Sequence, residues 1–97
     1  MATYIALSRF TDQGIRSVKD TAKRAAAVQQ AATTMGVEMK QIYWTLGHYD
    51  LVIVVEAADE QAATAFMLSV ASTGNVRMET MRAFDRDEIS AILGKVS

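Results

Sequence analysis

Gly47-His48-Tyr49-Asp50 is the segment of this chain with the densest potential for chemistry. His48 is the sole histidine, and imidazole ordinarily titrates near neutrality, so its ring could shuttle a proton. Asp50 could orient that ring, and Tyr49 could donate to an oxyanion. These three are the catalytic candidates. A simpler, structural reading fits the same residues. Gly47 permits the turn backbone, Asp50 ties its carboxylate to turn N–H groups, and Tyr49 packs its ring over a sheet end.

Further candidates for ligand binding lie on either side. Arg77 and Glu79 share one face of a strand by parity. They could hold a carboxylate or phosphate, or form a solvated or interfacial ion pair. Tyr43 and Trp44 are adjacent and point to opposite faces. One then packs beneath a helix, and the other lines a pocket or a subunit contact. The six Met residues read as core and interface filler.

Composition removes whole classes of chemistry. The chain has no Cys, which excludes disulfides, a thiolate nucleophile, Cys-ligated zinc and iron–sulfur clusters. With a single His, no metal site is expected, and no cofactor motif is visible. Ten basic and eleven acidic residues leave a formal charge of −1, with no run of like charge. Nucleic acid and anionic membranes are therefore not expected partners. The start Met1-Ala2-Thr3-Tyr4 lacks the pattern of a signal peptide. The apolar run Leu51 to Val55 is far too short to span a bilayer. The expectation is a cytoplasmic protein.

The 97 residues make one domain, 1–97. Thr3 to Arg9 reads as a strand. Thr11 and Asp12 suit a helix N-cap. Ile15, Val18, Ala22, Ala25, Val28, Ala32 and Met35 then follow at helical spacing, predicting one continuous helix up to Gly36. Met39 to Leu46 and Asp50 to Ala57 read as a strand pair. Asp59 caps a second helix, with Ala62, Ala63, Phe66, Met67 and Val70 as its stripe. Val76 to Phe84 is the fourth strand. Asp85 and Glu88 are spaced as a capping box for a short final helix carrying Ile89, Ile92 and Leu93.

The order βαββαβ predicts an α+β, ferredoxin-like domain with a four-stranded antiparallel sheet and a short C-terminal helix. Its two crossover helices lie on one face. Strands one and three are central, and both are apolar on both faces: Ile5 and Leu7 oppose Tyr4 and Ala6, while Val52 and Val54 oppose Leu51, Ile53 and Val55. Two helices cover one face only. A bare apolar patch of several hundred Å² is unusual on a monomer, so the chain is expected to pair with copies of itself. The competing expectation is a monomer whose final helix covers that face.

Three segments carry a family likeness. Gly47-His48-Tyr49-Asp50 resembles the Gly-x-Tyr-Asp signature of the GYD-domain family, with His48 at its variable position. Thr3-Tyr4-Ile5-Ala6-Leu7-Ser8 and Gly74-Asn75-Val76-Arg77-Met78-Glu79-Thr80 are similar to that family as well. The likeness spans nearly the whole chain. It implies membership of the dimeric α/β-barrel group, in which two ferredoxin-like protomers pair sheet to sheet. The functional expectation is a homo-oligomeric binding or regulatory module. The alternative is a cofactor-independent enzyme acting on a small, largely apolar molecule near His48, Tyr49 and Arg77. RNA binding on the sheet would need a basic surface that the charge balance does not supply.

Overall fold

A computed structural model describes all 97 residues. Strand β1 (Ala2–Phe10) leads into a short helix α1 (Asp12–Arg16), a single 3-10 turn (Val18–Asp20) and helix α2 (Thr21–Thr34). Strands β2 (Glu38–Trp44) and β3 (Leu51–Ala57) follow, then helix α3 (Glu60–Ser72), strand β4 (Val76–Ala83) and helix α4 (Arg86–Leu93). The strands form one antiparallel sheet in the order β2-β3-β1-β4. This is the ferredoxin-like arrangement, with β1 and β3 central.

Strand parity divides the sheet into two faces. Tyr4, Ala6 and Ser8 of β1 and Leu51, Ile53, Val55 and Ala57 of β3 are buried on the helix side. There they join Ala32 of α2 and Ala63, Phe66, Met67 and Val70 of α3 in the core. Ile5, Leu7, Val52 and Val54 take the opposite face and are only half-buried. The molecule measures 50 × 31 × 18 Å. Its least dimension suits one layer of helix on one layer of sheet.

The expected single helix from Asp12 to Met35 is broken. Thr11 does cap its start, accepting from the Gly14 N–H at 3.0 Å. The helix then stops at Ser17, and Arg24, one turn into α2, reaches back to the exposed carbonyls. Its guanidinium donates to the Ser17 carbonyl at 2.7 Å and to the Gly14 carbonyl at 3.2 Å. These bonds stand in for the intrahelical partners that a helix end lacks. Gly14 is buried against the β4 approach, where an added Cβ would lie 2.0 Å from the Asn75 carbonyl oxygen. The break leaves Ile15 and Val18, read as part of the buried stripe, largely exposed.

Strand β2 ends at Trp44 rather than Leu46 and carries a bulge between Met39 and Gln41. Lys40 is the extra residue, so Met39, Ile42 and Trp44 face the helices while Gln41 and Tyr43 face away. Helix α4 has the capping box: the Asp85 carboxylate accepts from the Glu88 N–H at 2.8 Å and the Glu88 carboxylate from the Asp85 N–H at 3.1 Å. No α4 residue is buried, and α4 makes no extended contact with the sheet. The chain's own last helix therefore does not cover the second face. No helix is long and apolar enough to cross a membrane.

Candidate functional site

The β2–β3 loop is fastened at both ends by backbone chemistry. Thr45 N–H donates to the Asp50 carbonyl at 2.8 Å, and the Thr45 hydroxyl donates to the Tyr49 carbonyl at 2.6 Å. Gly47 sits at φ +113°, in the region that side chains with a Cβ avoid. Asp50 then ties the loop to β1. Its N–H donates to the Ser8 carbonyl at 2.8 Å, and its carboxylate accepts from the Phe10 N–H at 2.9 Å. The partner is thus a strand end, not the turn N–H groups expected from the sequence. Asp50 does not orient the His48 ring.

Arg9 does the orienting. Its Nε donates to the His48 carbonyl at 3.2 Å, and Nη2 meets the His48 ring at Nε2. The same guanidinium lies 4.9 Å from the Tyr49 ring centroid. The His48 and Tyr49 rings meet edge to face, with centroids 4.9 Å apart. The Tyr49 hydroxyl donates to Glu79 Oε2 at 3.1 Å. His48, Tyr49, Arg9 and Glu79 therefore form one connected group at a corner of the open sheet face. Arg9 was not among the sequence candidates. Continuing the parity of Ile5 and Leu7 by two residues would have placed it on this face.

Arg77 and Glu79 share the open face, as parity requires, but no ion pair joins them. Arg77 lies directly across from Arg9 in the strand register, and Glu79 across from Leu7. Leu7, Arg9, Tyr49, Arg77, Met78 and Glu79 line a shallow depression of about 200 Å³. His48 is not part of that lining. Tyr43 and Trp44 lie elsewhere, on the far edge strand. Trp44 points to the helix side and donates from Nε1 to the Thr21 hydroxyl at 3.0 Å. Tyr43 stands on the open face, 55% exposed, and donates to Gln41 Oε1 at 3.0 Å. The ligand-binding candidates thus divide between two edges of the sheet and do not converge.

Two ion-pair groups lie at the sheet edges, one on each face. Lys40 bridges Glu38 at 3.2 Å and Glu56 at 3.7 Å. Its hydrogen bond to Glu38, aided by both carboxylates, holds the ammonium above its ordinary pKa. On the helix side, opposite Tyr4 in the register, Arg82 pairs with Glu88 at 2.9 Å. That hydrogen bond, with the Asp85 N–H second, holds the Glu88 carboxyl below the usual range. No group of three or more His, Cys, Asp or Glu side chains is placed to hold a metal ion.

Fold and site together define a class: a ferredoxin-like α+β domain with helices on one sheet face and an open apolar face cornered by a polar cluster. The chain belongs to the GYD domain family, whose domain matches residues 4–93. A Thermus thermophilus protein named glutamine synthetase and cystathionine beta-lyase binding protein is 36% identical over 94 residues, covering 96% of this chain and 99% of that one. Among crystal structures, TTHA0845 from T. thermophilus superposes with a TM-score of 0.58 at 25% identity, over 88% of this chain and 95% of that one. PHS023, a hypothetical protein from Pyrococcus horikoshii, gives 0.57 at 22% identity, over 89% and 93%. An ACT domain protein from Streptococcus pneumoniae gives 0.51 at 19% identity, over 86% and 90%. These likenesses show the fold.

Proposed function

We propose that this chain is a homo-oligomeric binding module: two protomers pair through their open sheet faces, and the assembly docks onto another protein. The open face is the observation that carries the reading. Ile5, Leu7, Val52 and Val54 form its apolar centre, and no helix of the same chain lies over them. Tyr43 and Met81 extend that surface, and Lys40, Glu56, Arg77 and Glu79 surround it. An apolar centre inside a polar rim is the anatomy of a protein interface. A second copy would hide roughly 800 Å² on each partner in an interface of standard size. Pairing would also roof the depression between Tyr49 and Arg77, where the enzymatic alternative would place its substrate.

The relative's name supports a protein as the further partner. The T. thermophilus protein is named for binding glutamine synthetase and cystathionine β-lyase, and it aligns with this chain over nearly its full length. We infer a metabolic enzyme of that kind as the docking target. A cysteine-free chain suits the reducing cytoplasm in which such enzymes work.

Sedimentation combined with surface-immobilised binding to those two enzymes from the same organism tests both halves. The expected result is a dimer or larger assembly at micromolar protein, with saturable binding to at least one enzyme. Lone protomers would end the pairing proposal. An intact oligomer that bound neither enzyme would end the docking proposal alone.

A further inference from the structure

A cavity of about 60 Å³ lies on the helix side of the sheet, beside the start of α2. Val28, Ile42 and Val70 contribute to its mainly apolar wall. Five polar side chains also reach it: Ser8, Thr21, Arg24, Thr73 and Asn75. Three of them are already engaged. Thr21 accepts from Trp44 at 3.0 Å, Thr73 donates to the Val70 carbonyl at 2.7 Å, and Asn75 accepts from Gln13 at 3.0 Å.

Thr21 keeps its own O–H and Asn75 its amide N–H groups, but the remaining two have the most capacity to spare. Ser8 is 0% exposed, and its Oγ has no hydrogen-bond partner in the protein. Buried hydroxyls are normally partnered, so an orphan calls for an occupant that can bond to it. Arg24 spends three N–H groups on Ser17 and Gly14. A guanidinium carries five, so two remain. No carboxylate of the chain pairs with it.

The geometry points to a small-molecule site in this cavity, shaped for a short aliphatic monocarboxylate. The apolar body lies against Val28, Ile42 and Val70. An oxygen of the ligand accepts from the Ser8 hydroxyl, and its negative charge faces the free N–H groups of Arg24. Size limits the choice. An aromatic ring the size of benzene fills a cavity of about 150 Å³, so this one takes only a short chain, with its charged end toward Arg24. The site is on the opposite side of the sheet from the pairing face, so it stands or falls independently of the proposed assembly.

The test is a methyl-resolved NMR titration of the full chain with acetate, with ethanol and isobutyrate as comparators. Acetate is expected to give saturable shifts at the Val28, Ile42 and Val70 methyls, and isobutyrate, which has as many non-hydrogen atoms as benzene, none. Arg24→Gln is expected to weaken acetate by about tenfold and to leave ethanol unchanged. Arg24→Lys, which keeps the charge, is expected to restore most of the loss and guards against a merely loosened α1. Ser8→Ala is expected to stay folded and to weaken both small probes. Absence of saturable shifts in the unaltered chain would overturn the inference. So would acetate binding left unchanged by Ser8→Ala or by Arg24→Gln, or a crystal soaked in acetate that holds only water on Ser8.

Discussion

Val54 and Val55 are neighbours with the same side chain, yet they belong to two different environments. Val55 is fully buried, in a core shared with Ala6, Phe66 and Met67. Val54 points the other way, beside Ile5 and across from Gln41, and its own chain covers it only in part. The strands are equally apolar front and back. What differs is the supply of helices: α2 and α3 take one face, and α4 stands apart with Ile89 and Leu93 exposed, the latter at 59%. Hydrophobic stabilisation is proportional to area removed from water, so it accrues in full to Val55 on folding, while part of Val54 stays in water in the protomer. One face holds the protomer together, and the other is free to hold a partner.

The largest expected effect breaks the covered face. Phe66→Ala would remove a ring that is 1% exposed and should cost about 3–5 kcal/mol of protomer stability, measured by urea unfolding. Next comes the tie between the polar corner and β1. Asp50→Ala strands the Phe10 N–H and should cost about 1–3 kcal/mol. Its thermal unfolding midpoint should fall while Tyr49→Phe, which loses only the bond to Glu79, shifts it less. The open face should behave in the opposite sense. Leu7→Lys, at a half-buried position, is expected to cost protomer stability only about 1 kcal/mol, as an average substitution does, yet to abolish association by sedimentation. A variant that lost folding and association together would erase the distinction between the faces.

The smallest effect concerns α4. The folded-state pKa of Glu88 lies below its unfolded value, so its contribution is complete above the ordinary carboxylate range. That contribution is lost as pH falls through the lower folded value. Amide exchange or chemical shifts in α4 should therefore report loosening only in acid. Glu88→Gln should remove that pH dependence without altering the sheet.

Much of this organisation was legible before any coordinates. Alternation in Leu51–Val55 and Tyr4–Leu7 assigned each residue to its face correctly, because a strand's period of two depends only on the local backbone. Asp59 and the Asp85–Glu88 box marked helix starts for the same local reason. The site was less legible. Residue types singled out His48, Tyr49 and Asp50, but their partners, Arg9, Glu79 and the Phe10 N–H, lie 30 to 40 positions away in the chain. The helix break was missed as well. The apolar spacing from Ile15 to Met35 is continuous, and the guanidinium of Arg24 competes for carbonyls that the pattern assigned to the helix ladder.

Local chemistry alone established the order βαββαβ, the caps, the two-faced central strands and the likeness to a family. Those features rest on dihedral preferences and side-chain direction, which act within a few residues. Tertiary packing alone decided that α4 leaves the second face open, that Arg9 rather than Asp50 meets the His48 ring, and that Ser8 is buried without a partner. Each of these depends on where distant segments come to rest. That position is set by the summed packing of the whole core and by no single stretch of the chain.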